Sequence, residues 1–294
     1  MELVNSNRKL LETAYAVFKQ FPAKFSPFEN AAKFELEGTL PNHPVNIYQL
    51  IEDDTSYYYS YRKNLIPDGN KPILQGAYNG KFNEAAFTKG LEYLISCEPT
   101  FDQVCLSVSQ REATQTVKNV IRAHLHNRTF GTTPCNMFYV EDKDQDRFLA
   151  IQQPELPEGF TIGDAAEADA RLINDTWQYA EPKDILQQRE KILRLPSTVI
   201  RHNGRPVSFE LIGLHAQCSH LYTLPEYRQR GFGKIVEDNL IQKCIRQQLR
   251  AHKMVVLKNE SVLRKSLENT LWTVAKNEDG SLIIMDFLDI NSSE

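Results

Sequence analysis

Residues 224–234 read Leu224-Pro225-Glu226-Tyr227-Arg228-Gln229-Arg230-Gly231-Phe232-Gly233-Lys234. The segment before them, Cys218 to Leu224, reads as a strand that stops at Pro225, because proline cannot donate to a ladder. From Gly233 to Arg250 the apolar residues Val236, Leu240, Ile241, Cys244, Ile245 and Leu249 recur at helical spacing. The stretch is therefore a strand-to-helix turn. Such a turn aims unpaired N–H groups and the positive end of the helix dipole at one point, which favours an anion. Gly231 and Gly233 leave out the Cβ atoms that would hold a ligand away from the backbone. Between Glu226 and Lys258 eight Lys or Arg stand against three acids, in a chain whose net charge is −4. A plain tight turn followed by a solvated basic helix is the bland alternative.

Two phosphate motifs are excluded by spacing. A P-loop needs four residues between its glycine and the Gly-Lys pair, and a dinucleotide fingerprint needs a third glycine after the first strand of a βαβ unit. Working outward, the C-terminal half runs as a strand at Phe160 to Ile162, helices over Ala165 to Trp177 and Pro182 to Leu193, and strands at Thr198 to His202 and Val207 to Ile212. Asn203-Gly204 between the last two suits a type I′ hairpin turn. After the long helix come a strand at Met254 to Leu257, a helix at Ser261 to Asn269, and a terminal hairpin of Thr273 to Lys276 with Leu282 to Phe287 across Asp279-Gly280.

The N-terminal half opens with an amphipathic helix, with Leu10, Leu11, Ala14, Val17 and Phe18 on one face, stopped near Pro22. Strands are expected at Ala32 to Leu36, Val45 to Ile51, Tyr57 to Tyr61, Val104 to Val108 and Asn136 to Val140. Helices are expected after Asn83 as N-cap and from Ser109, where Glu112 completes a capping box. Gln152 to Gly159 (QQPELPEG) has no apolar period, so the domain boundary is placed between 151 and 152.

Apolar residues at 41% and charged residues at 24% fit a globular protein and exclude a disordered or collagen-like chain. No apolar run reaches the length of a bilayer span, so no membrane partner is expected. Five cysteines, with no C-x-x-C pair, imply neither a disulfide framework nor a metal site. The first twenty residues carry Glu2 and Glu12 in a helical pattern, unlike a secretory signal or an Arg-rich transit peptide. An intracellular setting such as the cytoplasm is expected, as a monomer or weak dimer. The net negative charge, and the lack of an aromatic platform beside the basic helix, disfavour nucleic acid.

The order of elements together with TLPEYRQRGFGK resembles the acyl-CoA N-acyltransferase (GNAT) superfamily. SFELIGLHAQCSHLYTLPEYRQRGFGK and KNESVLRKSLENTLW resemble, more closely, the glycine N-acyltransferase family. The resemblance implies a tandem GNAT-like α/β fold with a mixed central sheet flanked by helices. Residues 1–151 would form a degenerate N-terminal α/β domain, and 152–294 the catalytic domain. It also implies acyl-CoA or coenzyme A as substrate, a small amine or amino acid such as glycine as acceptor, and the mitochondrion as the alternative compartment. Residue by residue, Arg228, Gln229, Arg230, Gly231, Phe232, Gly233 and Lys234 match the pyrophosphate turn, and Asn259 and Ser261 a second cofactor-side segment. Backbone N–H groups at Leu221, Tyr222, Thr223 and Leu224 would polarise the thioester oxygen.

Two positions depart from the family pattern. Gln217 stands where the family's proposed catalytic glutamate would be, and no donor tyrosine stands near Ser266 or Leu267. A free amine of pKa near 9 to 10 is mostly protonated at neutral pH, so a base is useful. His215 and His220 flank Gln217, and an imidazole titrates in the right range. His220 can take the glutamate's place only if a bulge switches the strand's alternation. Cys218 is read as a small apolar strand residue, not a nucleophile. Tyr57 to Tyr61 is read as core packing ahead of an acyl pocket, and Arg201 and Arg205 as surface charge ahead of a carboxylate fork. The alternative to an enzyme is a catalytically impaired acyl-CoA-binding sensor of the same fold.

Overall fold

Proline and glycine set many of the element boundaries. A computed structural model describes residues 1–66, 72–177, 180–214 and 216–292. In chain order the elements begin β1 (Glu2–Leu3), α1 (Arg8–Gln20), α2 (Pro22–Glu37), β2 (Val45–Glu52), β3 (Thr55–Arg62), β4 (Ile73–Asn79), α3 (Glu84–Cys97), β5 (Leu106–Gln110), α4 (Arg111–His124) and β6 (Arg128–Tyr139). They continue α5 (Asp142–Leu149), β7 (Phe160–Gly163), α6 (Ala170–Asp175), α7 (Ile185–Arg194), β8 (Ser197–His202), β9 (Arg205–Ile212) and β10 (Cys218–Thr223). The last are α8 (Phe232–Arg246), β11 (His252–Val256), α9 (Glu260–Glu268), β12 (Thr273–Val274) and β13 (Ile284–Ser292). Contacts divide the chain into two units: 1–65 with 71–139 and 254–294, and 66–70 with 140–253. Among the described residues no helix is long and apolar enough to cross a membrane.

In the first unit the strand order is β1-β2-β3-β4-β5-β13-β6, with β12 on β6. Among the described residues of this unit, β4 and β5 alone are parallel neighbours. Strand alternation sends Tyr57, Tyr59 and Tyr61 to one face, against Phe87, Leu91 and Val117 of α3 and α4. It sends Tyr58 to the other face, against Phe18, Phe25 and Phe28 of α1 and α2. The tyrosine run is therefore core. Gly90 is fixed by this packing, since a Cβ there would come within 2.6 Å of the Tyr59 ring.

In the second unit the order is β11-β10-β9-β8-β7. The β7 to β10 meander is antiparallel, and β11 joins β10 in parallel. Asn203 (φ 49) and Gly204 (φ 82) both take the left-handed conformation that the β8–β9 turn requires. One sheet face is covered by α8, where Phe232 and Val236 meet Ile200 and Val207. The other is covered by α6 and α7, where Ile173 and Ile192 meet Val199, Phe209 and Leu211.

Several sequence expectations differ from these elements. Ala32 to Leu36 is the last part of α2, not a strand: Pro22 ends α1 but occupies the first turn of the next helix, where its missing N–H costs nothing. Ser109 lies inside β5, and α4 starts two residues later without a side-chain cap, so no capping box forms. Helix α5 separates β6 from the Gln152–Gly159 loop. The helix expected over 165–177 is a 3-10 turn (Glu167–Asp169) followed by the short α6. Helix α8 ends at Arg246, ahead of Gln248, whose φ is 57. The terminal hairpin is reduced to one bridge, Lys276 to Leu282. β12 pairs with β6, and β13 inserts between β5 and β6, which draws residues 254–294 into the first unit. The units drawn by contacts thus run differently from a single cut at 151.

Candidate functional site

The turn after β10 forms as a 3-10 turn, Pro225–Tyr227, followed by two left-handed residues, Gln229 (φ 63) and Gly231 (φ 79), and the start of α8. The φ of Gly231 is one that L side chains rarely adopt. No side chain caps α8, so its first N–H groups face outward from the turn. A Cβ on Gly233 would meet only Thr223 Oγ1, at 3.8 Å, which places the first turn of α8 directly beside the end of β10. Arg228 Nε donates to the Thr223 carbonyl (3.0 Å) with its guanidinium over Tyr222, and Arg230 stacks over Tyr227. Lys234 pairs with Asp238 at 2.6 Å. Arg228, Gln229, Arg230 and Lys234 are exposed at the mouth of the turn, while Phe232 anchors it in the core.

Among the described residues β10 and β11 are paired at Cys218 and Lys253 alone, so the strands part beyond that point. Leu224 N–H donates to the Val207 carbonyl on β9 at 2.9 Å. Alternation then turns the Thr223 N–H to the opposite edge, where β11 has diverged. The register slips between Ser219 and Tyr222 as a bulge, with His220 at φ 61. The bulge moves His220 off the face of Cys218 and onto that of Phe209, Tyr222 and α6.

His220 Nε2 is 3.3 Å from Thr176 Oγ1. That hydroxyl has one proton, which it gives to helix carbonyls, to Ile173 at 2.9 Å and Leu172 at 3.2 Å, so it accepts from Nε2–H. This network assigns the lone pair of the neutral ring to Nδ1, which is buried with no partner. Burial, then the charge of Lys191, push the imidazole down to about 4. Gln217 is half-buried in the turn before β10, its Oε1 unpartnered. His215 lies outside the described residues. Asn259 and Ser261 start α9 in the other unit, with Ser261 Oγ 3.4 Å from Asn259 Oδ1.

His252, on β11, is likewise buried and pushed down to about 4. Unfolded histidines titrate near 6.5, so the native state binds fewer protons between those values, and stability is lost as pH falls from about 6.5 to 4. Thermal unfolding from pH 7 to pH 4 should show a falling Tm. A flat profile contradicts two neutral buried imidazoles.

Two groups escaped sequence reading because no motif joins them. Lys191, on α7, is pushed down to about 8 by burial, against the opposing charge of Asp184. Glu210, on β9, is buried with Oε2 unpartnered, and burial, then Cys218 and Glu237, hold its carboxyl well above the usual range against the pull of Lys253. A carboxyl raised in the fold stabilises below its unfolded value near 4.3, and that contribution is lost as pH rises through the folded value. Glu210→Gln should therefore raise Tm at pH 7 to 8, with the gain shrinking towards pH 4. A variant less stable than wild type at pH 8 would show instead that Glu210 is ionised and paired.

Among the described residues no three of His, Cys, Asp and Glu gather as metal ligands do. Arg201 is held bidentately by Asp169 (2.8 and 2.5 Å), and Arg205 lies 3.9 Å from Glu226. Arg201 is thus engaged within the protein, whereas Arg205 is an exposed surface charge.

No family model matches the chain. A Drosophila protein of known X-ray structure superposes on it with a TM-score of 0.76 at 13% identity, covering 98% of each chain. A GCN5-related N-acetyltransferase from Kribbella flavida superposes with a TM-score of 0.51 at 16% identity, over 90% of this chain and 95% of that one. The chain thus has the mixed α/β fold of GCN5-related N-acetyltransferases, a mixed sheet flanked by helices.

Proposed function

We propose that the protein transfers an acyl group from a coenzyme A thioester to the amine of glycine or another small amino acid, within residues 152–294. The observation that carries this reading is the meeting, at one end of β10, of an uncapped helix N-terminus and a strand edge that has lost its neighbour. The N–H groups around Gly231 to Gly233, with Arg228, Arg230 and Lys234 nearby, suit a diphosphate. The diverging edge suits a thioester, whose carbonyl oxygen would accept from the Thr223 N–H as negative charge develops. Asn259 and Ser261 are kept as a second cofactor-side segment on the resemblance alone.

The amine nitrogen attacks the thioester carbon, the C–N bond forms and the C–S bond breaks. The nitrogen's proton passes to Nδ1 of His220 and from there to the departing thiolate. An imidazole pushed down to about 4 is free to accept at neutral pH but holds a proton weakly. Gln217 takes no proton, so His220 is the nearest described base on this strand.

The same two facts, Gln217 and a weakly basic His220, favour a second reading in which the chain binds acyl-CoA without turning it over. Thiol release is measured over a panel of acyl-CoA esters, with and without glycine, glutamine and simple amines, beside the affinity for each ester. Amine-dependent thiol release supports the enzyme. Tight binding with no release supports the sensor, and the absence of both removes the acyl-CoA reading.

A further inference from the structure

The face of the second unit that carries His220 also carries a cation with no direct ion pair among the described residues. Lys191 is half-buried, with its ammonium 5.5 Å over the Trp177 ring, and it makes no hydrogen bond or ion pair among the described residues. Asp184, whose charge acts on it, is held elsewhere: Oδ2 accepts the Glu181 N–H at 2.7 Å, while Oδ1 is buried with no partner. The Trp177 ring is 6.4 Å from His220, so ammonium, indole and imidazole form one cluster between α7 and β10. Of the guanidinium groups that the sequence offers for a carboxylate, Arg201 is held by Asp169, and Arg205 is exposed beside Glu226 at the β8–β9 turn. A partly desolvated ammonium without a paired anion is unfavourable, and a carboxylate arriving at it would relieve that cost.

We propose that Lys191 binds the carboxylate of the acceptor and thereby holds its amino group at Nδ1 of His220. This rests on the acyl-transfer reading above and names the residue that would select amino acids over plain amines. A consequence follows for the base. Lys191 is the charged group acting on His220; the other groups around the ring are Thr176, Phe209, Tyr222 and Trp177, and Asp184 is the acid acting on Lys191. A bound carboxylate neutralises Lys191 and so makes the imidazole a better proton acceptor at the moment an acceptor is in place.

The test follows the His220 imidazole by NMR titration in the full-length protein, with His220→Asn assigning the signal. Glycine, acetate and ethylamine are the probes, and Lys191→Met keeps the stem while removing the charge. Glycine and acetate are expected to shift the wild-type midpoint upward by about one pKa unit, and ethylamine not at all. In Lys191→Met the midpoint is expected to start higher and to ignore all three. No shift with either carboxylate, or the same shift in Lys191→Met, overturns the proposal. Kinetically, Lys191→Met should raise KM for glycine about 10-fold or more while leaving KM for ethylamine unchanged, whatever the altered His220 does to kcat for both. Equal rises in KM for both acceptors point to a structural role and also overturn it. Absence of any transfer by wild type defeats the acyl-transfer reading, yet the titration still decides Lys191.

Discussion

Gly233→Glu is expected to lose at least about 100-fold in coenzyme A affinity, or about 2.7 kcal/mol, while Tm holds or rises slightly. The two effects have opposite signs because they arise in different places. Within the protein a Cβ at 233 meets only Thr223 Oγ1 at 3.8 Å, an ordinary contact, so the fold has room for the side chain. An acid in the first turn of α8 also faces the positive end of the helix dipole, worth about 0.3–1 kcal/mol of stability. A diphosphate at the same N–H groups would meet a like charge and an obstructing side chain. Gly231 makes a poorer probe, since its φ of 79 strains any other residue and would confuse misfolding with lost binding. Isothermal titration with coenzyme A, paired with thermal unfolding, separates the two effects. Unchanged affinity in Gly233→Glu removes the diphosphate from this turn.

His220→Asn is expected to lower kcat/KM by about 10² to 10⁴ while leaving coenzyme A affinity and the fold intact. Asparagine tolerates the left-handed backbone that His220 adopts, so the bulge can persist where a β-branched residue would strain it. The pH profile should change as well. Wild-type activity should fall along an acidic limb as the imidazole is protonated, and the variant, without the base, should lack that limb. If His220→Asn kept wild-type rates and the same profile, solvent or a different group would be taking the proton.

The second unit was more legible than the first because its elements are joined locally. Asn203-Gly204 names its own turn type, Pro225 ends a strand, and the apolar period of α8 is unambiguous, so strand, turn and helix around Gly231 follow from neighbouring residues. The position of β13 does not follow in this way. Its residues alternate as any strand does, and nothing in them says that they pair with β5 and β6 more than 140 residues earlier in the chain. Helix α2 misled because FELE alternates over a stretch too short to distinguish periods, and because a proline at a helix start reads as a helix end.

The site divides along the same line. The glycine-bearing turn proposed for a diphosphate is contiguous, hence readable as a turn, and the alternation of β10 posed the condition that His220 needs a bulge; the register does shift between Ser219 and Tyr222. Trp177 follows α6, Asp184 immediately precedes α7 and Lys191 lies within α7, with no motif to connect them. Among the described residues Lys191 has no ion pair and Asp184 Oδ1 no donor, and only packing reveals that. Arg201 shows the converse: a plausible carboxylate fork in sequence, spent on Asp169 in the fold.

The most direct measurement is a crystal structure of the full chain soaked with coenzyme A. The account predicts the diphosphate against the N–H groups at Gly231 to Gly233, with the pantetheine arm along the β10 edge that β11 has left and the sulfur near Thr223. Coenzyme A bound elsewhere, or the turn filled by the protein's own side chains with the ligand excluded, would contradict it.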